Sequence, residues 1–112
     1  MYRQGDIVLI PFPYSDLSTT KQRPVLVLSN TDYNKVQSDL IVAAITSNLI
    51  SKTYTIQITA DDLDEGQLRT TSIVRADKIY TLSNQIVIKK FGHLKPLIFS
   101  EVKKQLMLLL DE

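Results

Sequence analysis

Short runs of β-branched and aromatic residues, separated by polar segments, are the feature that most constrains the fold of this chain. Such runs predict strands, and the polar segments between them predict turns and loops. The predicted strands are Asp6–Phe12, Arg23–Ser29, Leu40–Ile45, Tyr54–Thr59, Thr71–Val74, Lys78–Leu82 and Gln85–Lys89. The first run is apolar on both sides, which predicts burial of both faces. Residues 75–77 interrupt the fifth and sixth runs.

Three polar segments connect these predicted strands. Tyr14–Gln22 has turn chemistry and no periodicity, so it is predicted to be a loop, and Asn30–Asp39 is a connection. Ala60–Gly66 is acidic and is predicted to be a surface loop or a single helical turn. Its four carboxylates lack the alternating pattern of a calcium loop, which favours a solvated surface over a metal site.

The pattern changes to a helical period from Pro96 onward. Apolar residues recur at steps of three and four, and the first-turn proline favours a helix of about four turns at ~3.6 residues each. The apolar positions are Ile98, Val102, Leu106, Leu109 and Leu110. The run Met107–Leu110 is wider than one helix face needs, which suggests burial against a partner. We therefore predict one domain, residues 1–112, mainly β with helices: a small SH3-like barrel closed by a C-terminal helix.

Composition excludes several kinds of chemistry. The chain has 112 residues, no cysteine and one histidine, so thiol nucleophiles, zinc–thiolate sites and multi-histidine metal sites are excluded. A net charge of +1 is compatible with nucleic-acid or protein partners, because a basic face can be balanced elsewhere. No signal region or run of about 20 apolar residues is present, which predicts a cytoplasmic protein without a membrane span.

Arg23 and Thr46 are the first candidate functional residues. Each lies where a buried strand meets a polar segment, and Pro24 favours an extended backbone at Arg23. A guanidinium can bind phosphate in a bidentate manner, and a neighbouring hydroxyl can position a second oxygen. The alternative is a surface arginine and an ordinary strand threonine, which spacing alone favours because such pairs arise by chance.

Arg75 and Asp77 are two residues apart and so lie on one face of an extended segment. Spacing alone favours a simple exposed ion pair; the alternative is an acid/base group beside a phosphate-binding cation. His93 follows Gly92 and is predicted to serve a turn or helix entry, because no carboxylate neighbour is evident in the sequence.

Three blocks of the sequence together resemble the MazF/PemK toxins of bacterial type II toxin–antitoxin modules. They are GDIVLIPFPYSDLSTTKQRPVLVLSN, IVAAITS and RTTSIVRADKIYTL, followed by Gly92-His93-Leu94 before the helix. The resemblance implies a CcdB/MazF-like barrel, a homodimer, and metal-free cleavage of single-stranded mRNA without a cofactor. The implied reaction is attack of the ribose 2′-OH on the adjacent phosphate, giving a 2′,3′-cyclic phosphate and a 5′-OH.

The resemblance also implies roles for individual residues. In MazF-like members the matching arginine and threonine carry catalysis: Arg23 would bind the scissile phosphate and relay a proton, and Thr46 would stabilise the phosphate. The PemK-like site matches Arg75 and Asp77 but adds a histidine in the first loop, which this chain lacks. Arg75 and Asp77 are therefore expected to support binding. The remaining expected RNA contacts are Lys21, Ser47 and Tyr14.

The expected partners are single-stranded RNA and a cognate antitoxin, with DNA reached only indirectly through the antitoxin complex. Two other functions stay open at this point. One is a CcdB-like toxin that binds a protein such as DNA gyrase without RNase activity. The other is a non-catalytic SH3-like binding module.

Overall fold

The protein is described from a computed structural model, and the structure describes residues 1–12, 21–50 and 53–112. Seven strands and two helices form this described part. The strands are β1 (Asp6–Pro11), β2 (Gln22–Val27), β3 (Asp39–Thr46), β4 (Thr55–Ile58), β5 (Leu63–Gly66), β6 (Ser72–Ser83) and β7 (Lys89–Leu94). The helices are α1 (Thr31–Val36) and α2 (Pro96–Leu110). Short 3-10 turns occupy Ala60–Asp62 and Asn84–Ile86.

All seven strands belong to one antiparallel sheet in the order β4-β6-β3-β2-β1-β7-β5. The sheet curls into a half-barrel, and α2 lies against β4 and β6. The predicted mainly β barrel with a C-terminal helix is therefore confirmed. The first four predicted strands match β1 to β4 within a few residues.

Both faces of the central strands are buried. One hydrophobic cluster contains Ile7, Leu26, Ala43 and Val74, and Val102 of α2 packs into it. The alternating residues, among them Val8, Val25, Val27 and Val42, form a second cluster on the opposite face. Because neighbouring side chains of a strand point to opposite faces, an unbroken apolar run fills both clusters. Truncation of one such buried Leu or Ile to Ala costs roughly 2–5 kcal/mol.

The fifth and sixth predicted strands are one strand, β6, so the prediction of two separate pieces is wrong. Ala44 pairs with Arg75 while Ala43 pairs with Ile79, which leaves residues 76–78 as a bulge at the predicted interruption. The Ala76 amide donates to the Tyr54 carbonyl at 3.0 Å. That hydrogen bond continues the pairing between β4 and β6, so β6 stays in the sheet through the bulge.

The predicted strand Gln85–Lys89 is also misplaced. Residues Asn84–Ile86 form a 3-10 turn capped by the Ser83 hydroxyl, which accepts from the Gln85 amide at 3.2 Å. The last strand, β7, begins only at Lys89, where pairing with β1 starts. Tertiary pairing, which local composition does not reveal, decides this boundary.

The acidic connection Ala60–Gly66 is a short turn in its first half and a strand in its second. After the 3-10 turn, Leu63–Gly66 forms β5 and pairs with β7, so the prediction of a surface loop or single turn is wrong for this half. Within the turn, the Asp62 carboxylate accepts from the Thr59 amide at 2.7 Å. The Asn30–Asp39 connection likewise contains α1, whose first turn is capped by Asn30 Oδ1 accepting from the Tyr33 amide at 2.8 Å.

A buried carboxylate organises the start of β1. Asp6 is 1% exposed, and its Oδ1 lies 2.7 Å from His93 Nδ1 and 3.2 Å from Lys90 Nζ, while Oδ2 accepts from the Arg3 amide at 2.8 Å. Arg3 and Lys90 also pair with Glu65. We call these five residues the Asp6 cluster. Burial by itself would raise the pKa of Asp6, but these hydrogen bonds and the Lys90 charge outweigh it and hold the pKa below its ordinary value.

His93 therefore has a different role from the one predicted. It lies within β7 opposite Asp6, not in a turn or helix entry, and Asp6 is the carboxylate partner that the sequence did not reveal. The residues are 87 positions apart in the chain. Gly5, at φ +95°, brings the backbone against the imidazole: a Cβ there would sit 3.1 Å from His93 Cε1.

Helix α2 buries little of its surface. Val102 is fully buried and Ile98 and Phe99 are half-buried, whereas Met107 and Leu110 are 61% and 74% exposed. The apolar end of α2 is thus uncovered in the single chain. Among the described residues, none of the helices is both long and apolar enough to span a membrane.

Candidate functional site

Strand register brings Arg23 and Thr46 to one place. The β2–β3 ladder ends at the pair Val25 and Ala44. Two residues further along each antiparallel strand lie Arg23 and Thr46, on the same face as that pair. Both side chains line the same cleft. The sequence expectation that neighbouring strands carry them to one rim agrees with this geometry.

The Arg23 guanidinium is held by neutral groups. It lies 5.4 Å from the centroid of the Phe12 ring, a cation–π arrangement, and its Nη1 donates to the Gln22 carbonyl at 3.3 Å. Within the described ranges it forms no ion pair. Arg23 is exposed, while Val25 on the same face is buried, so a solvent-facing cation stands on a rigid strand. This placement suits an anion-binding group.

The Thr46 hydroxyl is oriented by its own turn. Its oxygen accepts from the Asn48 amide at 3.1 Å. A hydroxyl that already accepts from a backbone amide can still donate its hydrogen. Thr46 is half-buried at the end of β3, so this hydrogen is available to an oxygen bound in the cleft.

The cleft that contains Arg23 and Thr46 has a volume of about 330 Å³, and we call it the Arg75 cleft. Its floor is Ala44, which pairs with Val25 on one side and Arg75 on the other. The small alanine side chain leaves space between the Arg23 and Arg75 side chains. The other lining residues are Ile10, Phe12, Pro24, Asn48, Ile50, Thr55, Ile73, Lys78 and Tyr80. Arg23, Arg75 and Lys78 give this cleft three cations, and no carboxylate occurs among its described lining residues.

Arg75 and Asp77 form a bidentate pair. Nε donates to Oδ1 at 3.0 Å and Nη2 donates to Oδ2 at 2.6 Å. The hydrogen bond with Asp77 raises the pKa of Arg75 above its ordinary value. The side chains are 17% and 28% exposed, so this is a well-oriented pair at a cleft wall rather than a freely solvated one. The Nη1 hydrogens of Arg75 are not used by the pair.

The remaining predicted site residues are more scattered. Ser47 is exposed and lines a second cleft described below. Lys21 is exposed, its carbonyl accepts from the Phe12 amide at 3.0 Å, and it does not occur among the described lining residues of either cleft. Tyr14 lies outside the described residues.

Sequence reasoning missed Lys78, Tyr80 and Thr55, all of which line the Arg75 cleft. Thr55 is paired with Arg75 across β4 and β6, a register visible only in the folded sheet. Lys78 directly follows the R-A-D motif, so its proximity to Arg75 could have marked it. Its position depends on the bulge at residues 76–78, which the sequence did not define.

A second and larger cleft, of about 860 Å³, opens on the other face of the sheet. Pro24 pairs with Leu9, and Leu9 pairs with Lys89, and all three line this cleft. Because adjacent residues of a strand point to opposite faces, this row and the Val25–Ala44–Arg75 row face opposite ways. We call the second space the Lys89 cleft. The two clefts share a rim formed by Arg23, Pro24, Thr46 and Asn48.

The carboxylates described near the clefts are already paired: Asp77 with Arg75 at the wall of the Arg75 cleft, and Glu65 with Arg3 and Lys90. Among the residues that the structure describes, no group of three or more His, Cys, Asp or Glu side chains is arranged to hold a metal ion. What the site offers is cations, hydroxyls and aromatic rings around a shared rim. The fold and site thus define a class: a small curled β-sheet protein with a helix at its end and a rim that carries Arg23 between two clefts.

The chain belongs to the family described as the PemK-like, MazF-like toxin of type II toxin–antitoxin systems, whose model matches residues 3–110. No protein of curated function matches the sequence.

Solved structures show the same fold. One is an endoribonuclease in complex with its cognate antitoxin from a mycobacterial species, with a TM-score of 0.81 at 19% identity, covering 98% of this chain and 95% of that one. A second is MazE–MazF from Deinococcus radiodurans, with a TM-score of 0.77 at 24% identity and coverages of 97% and 94%. A third is the Mycobacterium tuberculosis toxin MazF-mt6, with a TM-score of 0.77 at 19% identity and coverages of 95% and 96%.

Proposed function

We propose that this protein is an endoribonuclease toxin that cleaves single-stranded RNA at the rim formed by Arg23 and Thr46. The observation that carries the proposal is the convergence of Arg23, Thr46 and Arg75 from three strands on one cationic cleft. Two of the solved structures with a similar fold are described as endoribonucleases. The substrate is RNA rather than DNA because the proposed nucleophile is the ribose 2′-OH.

The proposed reaction needs only groups that the chain and its substrate supply. The 2′ oxygen attacks the adjacent phosphorus, so an O2′–P bond forms and the P–O5′ bond breaks. The 2′-OH gives up one proton and O5′ takes one up as it leaves as a 5′-OH, with Arg23 relaying the proton, so the step consumes no net proton. The products are a 2′,3′-cyclic phosphate and a 5′-OH end.

Each rim residue has a part in this reaction. The Arg23 guanidinium binds the non-bridging phosphate oxygens and stabilises the charge that grows on them in the pentacoordinate state. Thr46 donates its hydroxyl hydrogen to one of those oxygens. Arg75, held in place by Asp77, supplies a second cation from the cleft wall. Loss of one such preorganised donor typically lowers kcat by about 10²–10³.

A cognate antitoxin and a second copy of the chain are proposed partners. The similar mycobacterial and Deinococcus proteins were solved in complex with an antitoxin or with MazE. An acidic antitoxin segment would compete with RNA for the cations of the rim. The exposed apolar end of α2, with Met107 and Leu110, supports burial in a homodimer.

The decisive experiment is cleavage of a long single-stranded RNA by the purified protein in excess EDTA. We expect 5′-OH and cyclic-phosphate ends, and we expect Arg23→Ala to lower the rate by about 10²–10³. Lys103→Ala, an exposed lysine on α2, is the matched control and should cleave normally. Full activity of Arg23→Ala would rule out the site, and absence of wild-type cleavage would rule out the function. Growth arrest with DNA damage but no RNA cleavage would instead favour a gyrase-binding toxin.

A further inference from the structure

We propose that the Lys89 cleft is a second RNA subsite, which binds the nucleotides on one side of the scissile phosphate while the Arg75 cleft holds those on the other. This inference rests on the proposed function and assigns a role to Arg69 and Lys89, which the reaction itself does not use. Its basis is that two clefts of similar chemistry meet at the residues proposed to bind the scissile phosphate.

The Lys89 cleft has the charge that a nucleic-acid backbone requires. Arg23, Arg69 and Lys89 line it, and no carboxylate occurs among its described lining residues. Arg69 and Lys89 are exposed, and neither forms an ion pair with another described residue. Three cations with no ion-pair partner among the described residues attract a polyanion that passes over the rim.

The acidic residue next to this cleft, Glu65, is paired within the Asp6 cluster. Glu65 directly precedes Gly66, a lining residue, but its carboxylate is bound by Arg3 and Lys90. The hydrogen bond from Arg3 lowers the pKa of Glu65, so this carboxylate stays charged and paired. Lys90 thus engages the acid, while Lys89, next to it in the chain, lines the cleft.

The outer wall of this cleft is fixed by a close backbone approach. Gly66 has φ +80°, and a Cβ at this position would overlap the Phe91 carbonyl oxygen. This contact anchors the start of the β5–β6 connection against β7, so the segment Gln67–Thr70 is placed beside Phe91. Together they offer an aromatic edge, an amide and a hydroxyl next to the cations. Unstacked bases of single-stranded RNA are held by such aromatic and polar groups.

Continuity of the two clefts makes RNA the favoured occupant. When a phosphate of a single-stranded RNA is bound by Arg23 and Thr46, the nucleotides before it lie on one face of the sheet and those after it lie on the other. Both segments then meet cations and aromatic rings: Lys78 and Tyr80 in one cleft, Lys89 and Phe91 in the other. A short protein segment could enter the same space, but it would not require matching chemistry on both sides of the rim.

The test compares substrate lengths once the cut site has been mapped with the wild-type protein. A minimal RNA around the cut site is extended by a few nucleotides on its 5′ side or on its 3′ side. The variant is the double substitution Arg69→Gln with Lys89→Gln. Its control is Lys35→Gln with Lys103→Gln, which removes the same charge from exposed positions on α1 and α2.

We expect extension on either side to lower the wild-type KM, and the Arg69/Lys89 variant to lose the gain from one of the two sides only, by roughly tenfold, the size of two ordinary exposed charge contacts. Its kcat and its KM for the minimal RNA should not change. The slope of log K against log salt should fall by about 1.4, since each phosphate contact of a single strand contributes ~0.7.

Three results would overturn the subsite. They are an unchanged KM for the extended RNAs, an equal loss for the minimal RNA, and an equal loss in the Lys35/Lys103 control. A variant that weakens only the binding of an acidic peptide would likewise show a protein-binding cleft instead. Because wild-type cleavage is established first, failure of the subsite is distinguished from failure of the proposed ribonuclease function.

Discussion

Two charged regions of this small protein are built in opposite ways. In the Asp6 cluster, the buried carboxylate contacts Arg3, Lys90 and His93, and the outer acid Glu65 neutralises Arg3 and Lys90. At the rim of the two clefts, Arg23 stands on a rigid strand with no ion-pair partner among the described residues.

This difference predicts that the Asp6 cluster contributes to folding stability and that the rim contributes to ligand binding. The buried Asp6 carboxylate, paired with Lys90 and His93, holds β1 and β7 together, and its removal leaves His93 without its carboxylate partner. Cations left without a partner on a rigid surface contribute little to folding and remain available to a ligand. The two regions should therefore respond oppositely to substitution: one in the free energy of unfolding, the other in catalysis.

The largest effect is expected from Asp6→Asn. Loss of the buried charge should lower the free energy of unfolding by roughly 3 kcal/mol, because Lys90 and His93 lose the negative charge they face and one of the two accepting oxygens becomes an NH2 donor. The rate of RNA cleavage per folded molecule should not change. Denaturant unfolding at neutral pH measures the first quantity, with Glu65→Gln, an exposed member of the cluster, as a milder control.

The same substitution should change the acid limb of stability. The folded-state pKa of Asp6 is lower than its ordinary value of 3.8, so its contribution is present above that value and is lost as the pH falls toward the folded-state pKa. Asp6→Asn should flatten the pH dependence of unfolding in this acidic range. An unchanged acid limb would show that the cluster does not carry the stability assigned to it.

Thr46→Val should produce the converse result. The substitution keeps the branched shape but removes the hydroxyl, so we expect about a 100-fold loss of kcat. Stability should change little, because the exposed Asn48 amide that loses its acceptor can bond to water. Thr81→Val, at an exposed position of β6, is the matched control. A loss of stability without a loss of rate would place Thr46 with the structural residues.

Asp77→Asn should have the smallest effect and decides how the Arg75 pair acts. If Asp77 only orients Arg75, its loss should lower the rate by about fivefold, the scale of one hydrogen bond. It should then have no further effect in an Arg75→Gln background. A larger loss, additive with Arg75→Gln and accompanied by a shift of the kcat pH profile, would show that Asp77 exchanges protons with the substrate.

The comparison also shows which parts of the molecule the sequence could predict. The first four strands and α2 follow from local pattern, because apolar runs and helical periodicity are local properties. Pro24 marked Arg23 as an extended, fixed position, and the family assignment is confirmed. The boundaries of β5, β6 and β7 were predicted wrongly, because pairing between distant strands decides them.

The sequence by itself determined the residue types of the site and the faces of the central strands. It also determined the absence of cysteine, since that is a matter of composition. Only the tertiary structure placed Ala44 between Arg23 and Arg75 and joined Asp6 to His93 across 87 residues. It also placed the two clefts on opposite faces of the sheet, with a shared rim between them. The physical reason is that antiparallel register and bulges depend on long-range hydrogen bonds, which no local stretch of sequence encodes.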